Sequence, residues 1–226
     1  VEDFKQLGYL PQALINFCAL LGWHPKEDNE IFDLPALLKN FDLNGLGASP
    51  AVFDLDKLDY LNGYYIRQKN LKELTQLCKP YLAEYLQQAK AEQKTTKYLE
   101  AVIRLEQARL KKLSEIKERT AFFFTTIKYE PELLIWRKSN ASQTKKALQE
   151  TKEQLAKIPA KNWTQTTIEE TMINYIEAKA VGKGDYLWPL RVALTGEKAS
   201  PGPFEVAEVL GQKLTLERLD QGINQL

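Results

Sequence analysis

The residues of this chain that could do chemistry are few, and most are of types that bind rather than make or break bonds. His24 is the sole histidine, and Cys18 and Cys78 are the sole cysteines. Neither a zinc site of the usual ligand count nor a Ser-His-Asp set can be assembled from them. No G-x-x-x-x-G-K phosphate loop occurs. Paired carboxylates such as Glu169-Glu170, or Asp54 with Asp56, read as solvated helix faces and caps, and His24 sits in a turn between Trp23 and Pro25. No catalytic residue, metal ligand or cofactor site is therefore expected in the chain itself. Basic and aromatic side chains remain. Phe122-Phe123-Phe124 and Trp188 before Pro189 could stack on bases, but both read more readily as packing.

Charge gives the basic residues a direction. The net charge of +1 over 226 residues hides an uneven spread. Residues 1–66 carry four Lys/Arg against ten Asp/Glu, whereas residues 67–138 carry sixteen against nine. A basic middle beside an acidic start points to a polyanionic partner, although lysines that merely solvate long helices would give the same count.

The elements that must position these side chains are helical. Leu14, Phe17, Cys18 and Leu21 recur at three- and four-residue steps behind Pro11, a residue suited to a first helical turn. Asp33 precedes Leu34-Pro35 and a short stripe of Leu37, Leu38 and Phe41. Asp54 is a good N-cap for a helix over 55–67, on which Leu58, Leu61, Tyr65 and Ile66 share a face. Leu71, Leu74, Leu77, Cys78, Leu82 and Leu86 continue the pattern across a break or kink at Pro80. A longer helix is predicted from about Thr96 to about Leu113, with Leu99, Val102, Ile103, Leu105 or Glu106, and Leu110 inward. Further helices are predicted near 143–158, 165–181, 203–210 and 214–225. No alternating run of useful length appears, so the expected class is all-α.

Breaks near Arg67 and Ser139 divide the chain into three expected parts, 1–67, 68–138 and 139–226. No apolar run approaches the ~20 residues of a membrane span. The start, Val1-Glu2-Asp3-Phe4, lacks an initiator Met and the basic and apolar regions of a signal peptide, and it enters directly on a helical pattern, as a fragment of a longer protein would. Both cysteines fit buried apolar positions in a reducing, cytoplasmic setting.

Three long motifs carry a resemblance. The first is Gly8-Tyr9-Leu10-Pro11-Gln12-Ala13-Leu14-Ile15-Asn16-Phe17, running into Leu20-Leu21-Gly22-Trp23. The second is Ser49-Pro50-Ala51-Val52-Phe53-Asp54, followed by Lys57-Leu58, Leu61-Asn62-Gly63 and Tyr65-Ile66-Arg67. The third is Leu187-Trp188-Pro189-Leu190-Arg191-Val192-Ala193-Leu194-Thr195-Gly196 with Ser200-Pro201-Gly202-Pro203-Phe204-Glu205. In order and spacing they resemble the bacterial-type glutamyl-tRNA synthetases: the segment after the KMSKS-type loop, the stem-contact domain, and the distal anticodon-binding domain. Residues 68–180 match only in helical pattern.

The resemblance implies a stem-contact domain at 1–67 and two helical anticodon-binding subdomains at 68–138 and 139–226. The class I catalytic domain, which would use ATP and Mg²⁺ in the parent enzyme, is expected ahead of Val1, so glutamate activation is not expected from these residues. Helical anticodon reading argues against a glutaminyl-tRNA synthetase, which uses β-barrels, and against the short paralogue that glutamylates queuosine. The implied partner is tRNA(Glu), with neither DNA nor membrane, and the chain is expected to be monomeric. In that family one arginine discriminates the last anticodon base. Extending the pattern back from Leu113-Ser114-Glu115-Ile116 places Arg109 there, where a fixed fork of donors suits base acceptors. A solvated arginine is the alternative. Lys111 and Lys112 beside it are candidate tRNA-backbone contacts. Arg191, Thr195, Ser200, Pro201, Pro203 and Phe204 match the motif around the first two anticodon bases, although Arg191 could instead be a structural cap. A helical protein-docking module without RNA binding is the alternative for the whole chain.

Overall fold

The structure is a computed structural model and describes residues 1–25, 29–47 and 52–226. Ser49, Pro50 and Ala51 of the second motif lie outside the described residues. Among the described residues the structure is helical, with no strand and one isolated bridge between Trp23 and Leu46. The all-α expectation holds. The chain packs as two compact units, Val1–Glu118 and Arg119–Leu226.

The first unit begins with α1 (Glu2–Leu7), α2 (Pro11–Gly22) and α3 (Leu34–Asn40). Pro11 occupies the first turn of α2, and the Asp33 carboxylate caps α3 by accepting from Ala36 N at 2.8 Å. Of the stripe expected on α2, Phe17 is buried, Leu14 and Leu21 are half-buried against the same core, and Cys18 is exposed, while Ala13 and Asn16 are buried as well. Asn16 is inside because it has polar partners there. Its Oδ1 accepts from Phe32 N at 3.0 Å and Tyr65 Oη at 2.9 Å, and its Nδ2 donates to Glu30 O at 3.0 Å. A strandless loop needs such a partner for its buried backbone groups. Of the stripe expected on α3, Leu37 is buried and Leu38 and Phe41 are exposed.

The helix α4 (Leu55–Gln68) is capped by Asp54, which accepts from Asp56 N and Lys57 N at 2.9 and 3.1 Å. It buries the predicted Leu58, Leu61, Tyr65 and Ile66, and also Asn62 and Gly63. Helices α5 (Leu71–Cys78), α6 (Ala83–Gln88), α7 (Thr96–Glu106) and the one-turn α8 (Ile116–Arg119) follow. Pro80 falls in a 3₁₀ turn between α5 and α6, the break that its missing N–H requires. Burial pushes the Cys78 thiol up to about 12, leaving it an inert apolar side chain.

The helix predicted to run to Leu113 ends at Glu106. Glu106, not Leu105, takes the inward position after Ile103. A 3₁₀ turn over Gln107–Arg109 then carries the chain away. Gln107 Nε2 donates to Ile66 O, Arg67 O and Lys69 O at 3.2, 3.4 and 2.8 Å, closing the last turn of α4.

In the second unit the one-turn α9 (Ala121–Phe124) buries Phe122 and Phe123, in keeping with the packing reading of that run. A capping box of Asn140 and Gln143 starts α10 (Ala141–Ala156), and Thr164 caps α11 (Gln165–Ala178). The helix α12 (Lys183–Thr195) carries Pro189 in its interior. α13 (Pro203–Gln225) is two helices in series, broken at Gly211, whose φ of 78° is left-handed. That break matches the gap expected between 210 and 214.

Buried Arg218 of α13 ties this unit together, with Nη2 donating to Phe122 O at 2.6 Å and Nη1 donating to Leu194 O. Around Glu150 of α10, Lys179 Nζ donates to both carboxylate oxygens at 2.7 Å and Tyr186 Oη donates to Oε2. Burial works to raise this carboxyl, but those hydrogen bonds and the Lys179 charge outweigh it and hold it below the ordinary value.

Two predictions follow from these contacts. Asn62 of α4 bonds the backbone of Gly8, Leu10 and Lys111, so Asn62→Ala takes a partner from three backbone groups and stability should fall by at least about 3 kcal/mol, at ~1–3 kcal/mol per unsatisfied group. Urea unfolding measures this; a loss below about 0.5 kcal/mol would mean those groups find other partners. For Glu150 the folded value is depressed, so its contribution is present above the unfolded value and disappears as pH falls through the folded one. The stability gap between wild type and Glu150→Gln should therefore be open at neutral pH and close on acidification below about pH 4. A gap independent of pH would contradict the ion-pair assignment.

Candidate nucleic-acid interface

The Arg109 turn is built from both of its flanks. Asn62 Nδ2 donates to Lys111 O at 2.6 Å and Gly8 O at 3.2 Å, while its Oδ1 accepts from Leu10 N at 2.8 Å. Gly63 stands beside it, where an added Cβ would sit 3.2 Å from Leu110 O and 3.7 Å from Lys111 Cα. A side chain there would push the segment away from α4. The Leu61-Asn62-Gly63 motif is thus the seat on which residues 110–111 rest.

On that seat Arg109 is partly exposed but not free. Its Nη1 donates to both oxygens of Glu106, at 3.1 and 3.2 Å, and Glu106 is 1% exposed against 34% for Arg109. The buried carboxylate holds the guanidinium in one orientation at the surface. Arg109 therefore lies in a 3₁₀ turn rather than on an exposed α-helical turn. Lys111 is exposed, whereas Lys112 is half-buried, pairs with Asp59 Oδ2 at 3.4 Å and lies 5.9 Å from the Tyr9 ring centre. Tyr9 Oη donates to the other Asp59 oxygen at 2.5 Å. Burial, then this bond and the Asp59 charge, raises the Tyr9 hydroxyl above its ordinary range. Lys112 is thus held by the fold, and Lys111 is the lysine of the pair presented to solvent.

In the second unit the distal motif forms a loop closed by Arg191. Its Nη1 donates to Ser200 O, Ser200 Oγ and Pro201 O at 2.6, 2.8 and 2.8 Å. Thr195 Oγ1 donates to Arg191 O at 2.8 Å and accepts from Glu197 N at 3.1 Å. Gly196, at φ 74°, ends α12 with a left-handed cap, and Gly202 N donates to Glu205 Oε2 at 2.8 Å as α13 begins. Thr195, Pro201, Pro203 and Phe204 are buried, Gly196, Ser200 and Gly202 are half-buried, and Glu197, Lys198 and Ala199 are exposed. The motif therefore supplies a rigid loop whose backbone is at the surface, with most of its side chains spent on holding it. A half-buried arginine clamp of this kind fixes where the carbonyl and N–H groups of the loop stand.

Comparison with known proteins agrees with this architecture. Residues 73–223 match the family described as anticodon binding domain. The chain belongs to that family. Residues 1–60 match the class I (E and Q) tRNA synthetase catalytic domain. The catalytic family's profile thus extends past Val1 into the first unit, where the sequence alone had placed it wholly upstream. A glutamate–tRNA ligase of Clostridium botulinum is 36% identical over the full length of this chain and 45% of its own. Glutamate–tRNA ligase 1 of Caldicellulosiruptor saccharolyticus is 38% identical over 97% of this chain and 45% of its own. A glutamate tRNA ligase crystal structure from Elizabethkingia meningosepticum superposes with a TM-score of 0.83 at 26% identity, covering 98% of this chain and 42% of that one. The chain thus spans about half the length of the curated relatives it matches.

Sequence reasoning missed Glu106, Gln107 and Asn62, the polar residues that set the Arg109 turn. Glu106 had been one of two options for the inward position, and only packing could choose it. Arg109→Ala should lower stability by about 1–3 kcal/mol, because it takes a charged partner from a buried carboxylate. Glu106→Gln should make the same Arg109 change much cheaper in a double-mutant cycle read by urea unfolding. Equal costs in both backgrounds would show that the pair is not coupled.

Proposed function

We propose that this chain is the tRNA-recognition part of a cytoplasmic glutamate–tRNA ligase, acting as a monomer on tRNA(Glu) and on neither DNA nor membranes. The match of residues 73–223 to the anticodon binding domain family carries the reading. By role the chain divides into stem contact at 1–67 and anticodon subdomains at 68–138 and 139–226. ATP and Mg²⁺ belong to the parent's activation chemistry. Among the described residues no group of three His, Cys, Asp or Glu could hold a metal ion. No step of that chemistry is assigned to this chain.

The chemistry left to the chain is recognition. Anticodon bases are unstacked in their loop, so rigid donors can meet their Watson–Crick edges. Arg109, oriented by Glu106, offers its exposed side to the third anticodon base. The loop held by Arg191, Thr195, Ser200, Pro201, Pro203 and Phe204 surrounds the first two. Lys111 makes a phosphate contact, and Lys112 supports it from its Asp59 pair. Phosphates supply affinity and bases supply discrimination.

Filter binding of the full chain to tRNA(Glu) tests this. Affinity should fall linearly with salt on a double-logarithmic plot, since neutralised phosphates release counterions. Lys111→Glu should weaken all tRNAs alike and flatten that slope. Arg109→Gln in a Glu106→Gln background should instead reduce, by about tenfold to a hundredfold, the preference between tRNAs differing only at the third anticodon base. No binding at low salt would overturn the proposal. An unchanged preference with uniformly weaker binding would make Arg109 a phosphate contact.

A further inference from the structure

One basic side chain of the second unit is held in a way that neither the fold nor the anticodon loop requires. Arg137 is exposed, its backbone φ is 46°, and its guanidinium carbon lies 4.6 Å from the Trp136 ring centre. A non-glycine residue in the left-handed region is held there by its surroundings at some cost, and such residues cluster at binding sites. The surroundings are specific. Ser139 N donates to Trp136 O at 2.8 Å, closing a tight turn with Arg137 at its first central position. Ser139 Oγ donates to Asp185 Oδ1 at 3.2 Å, fastening that turn to the first turn of α12.

The other end of the turn is fastened by aromatic packing. Trp136 lies 4.7 Å from Trp188, centre to centre, with its plane tilted by 36°. Trp188 Nε1 donates to Leu133 O at 2.8 Å, which fixes that ring as packing. Trp136 also covers Gly184, where an added Cβ would stand 2.3 Å from its Nε1. Only glycine at 184 lets the indole lie on the helix. Gly184, Trp188, Arg191 and Thr195 succeed one another at four-, three- and four-residue steps, one face of α12. Trp136 and Arg137 therefore sit at one end of the face whose other end holds the Arg191 loop. Seven residues of helix separate Gly184 from Arg191, a rise of about 10 Å, or roughly three stacked nucleotides.

We propose that the Arg137 guanidinium, backed by Trp136, is a stacking platform for one further unpaired RNA base, in line with the bases held at the Arg191 loop. This rests on the tRNA reading above. A guanidinium over an indole offers a surface on which a base can stack and also carries donors for a phosphate or base edge.

The test uses the full chain and hairpin RNAs bearing the glutamate anticodon loop, each with 2-aminopurine at one loop position. Arg137→Gly removes the plane while suiting the left-handed backbone, so the fold is preserved. It should weaken binding by roughly tenfold to a hundredfold, the weight of one stacked base, and abolish the fluorescence quenching at one loop position. Arg137→Lys keeps the charge without the plane and should behave like Arg137→Gly. Wild-type affinity and quenching in Arg137→Gly, or wild-type behaviour in Arg137→Lys, would overturn the platform. If Arg191→Ala weakens binding while Arg137→Gly does not, the platform fails and the tRNA reading stands. If the wild-type chain binds none of the hairpins, both fail.

Discussion

A helical protein that presents loops to a ligand must satisfy the backbone of those loops without a sheet, and this constraint organises both units. In the first, the amide of Asn62 serves Gly8, Leu10 and Lys111. Gln107 closes the end of α4. In the second, Arg191 serves the carbonyls of Ser200 and Pro201, and Arg218 those of Phe122 and Leu194. Each hub is a side chain with several donors in fixed geometry, buried or half-buried, where its hydrogen bonds are strong and its absence costly. Remove the hub and the loop has no reason to keep its shape.

The proposed recognition draws on the same arrangement. A base is read by groups that do not move when it arrives, because ordering them on binding would subtract from affinity. The Arg191 loop meets this by spending its side chains inward and leaving backbone at the surface. The Arg109 turn meets it by seating residues 110–111 on Asn62 and Gly63 and by pairing Arg109 with buried Glu106. Lys112 shows the division of labour on a smaller scale. It looks like a phosphate contact in the sequence, yet its ammonium is committed to Asp59 beside Tyr9, and the neighbouring Lys111 is the one left exposed.

Much of this was legible in the sequence where the signal was local. Asp33, Asp54 and Pro11 begin helices because a cap or a fixed φ needs no tertiary partner, and the chain break near 211 followed from the lapse in periodicity. The failures share a cause. Periodicity put Cys18 inward on α2, where it is exposed, and it did not show that Asn16 was needed inside by a loop fourteen and sixteen residues away. It carried α7 to Leu113, but Glu106 at the buried register needed a cation three residues on, and the tightened turn supplied it. α12 went unread as a helix because Pro189 argues against one, while burial of Tyr186, Pro189, Leu190 and residues 192–195 keeps it helical. The left-handed φ of Arg137 has no sequence signal, since arginine seldom adopts it.

The two surface arginines show why the manner of holding matters. A carboxylate holds Arg109, and so fixes its direction through hydrogen bonds that use part of its donor fork. What it can add is direction-sensitive, which suits a choice between base edges. An indole holds Arg137 at 4.6 Å, and its guanidinium meets no hydrogen-bonding acceptor among the described residues. What it can add is a plane and a charge, which nearly any base can use. On the proposed reading the same residue type serves discrimination in one place and affinity in the other. The difference is set by whether the fold meets it with an acid or with a ring.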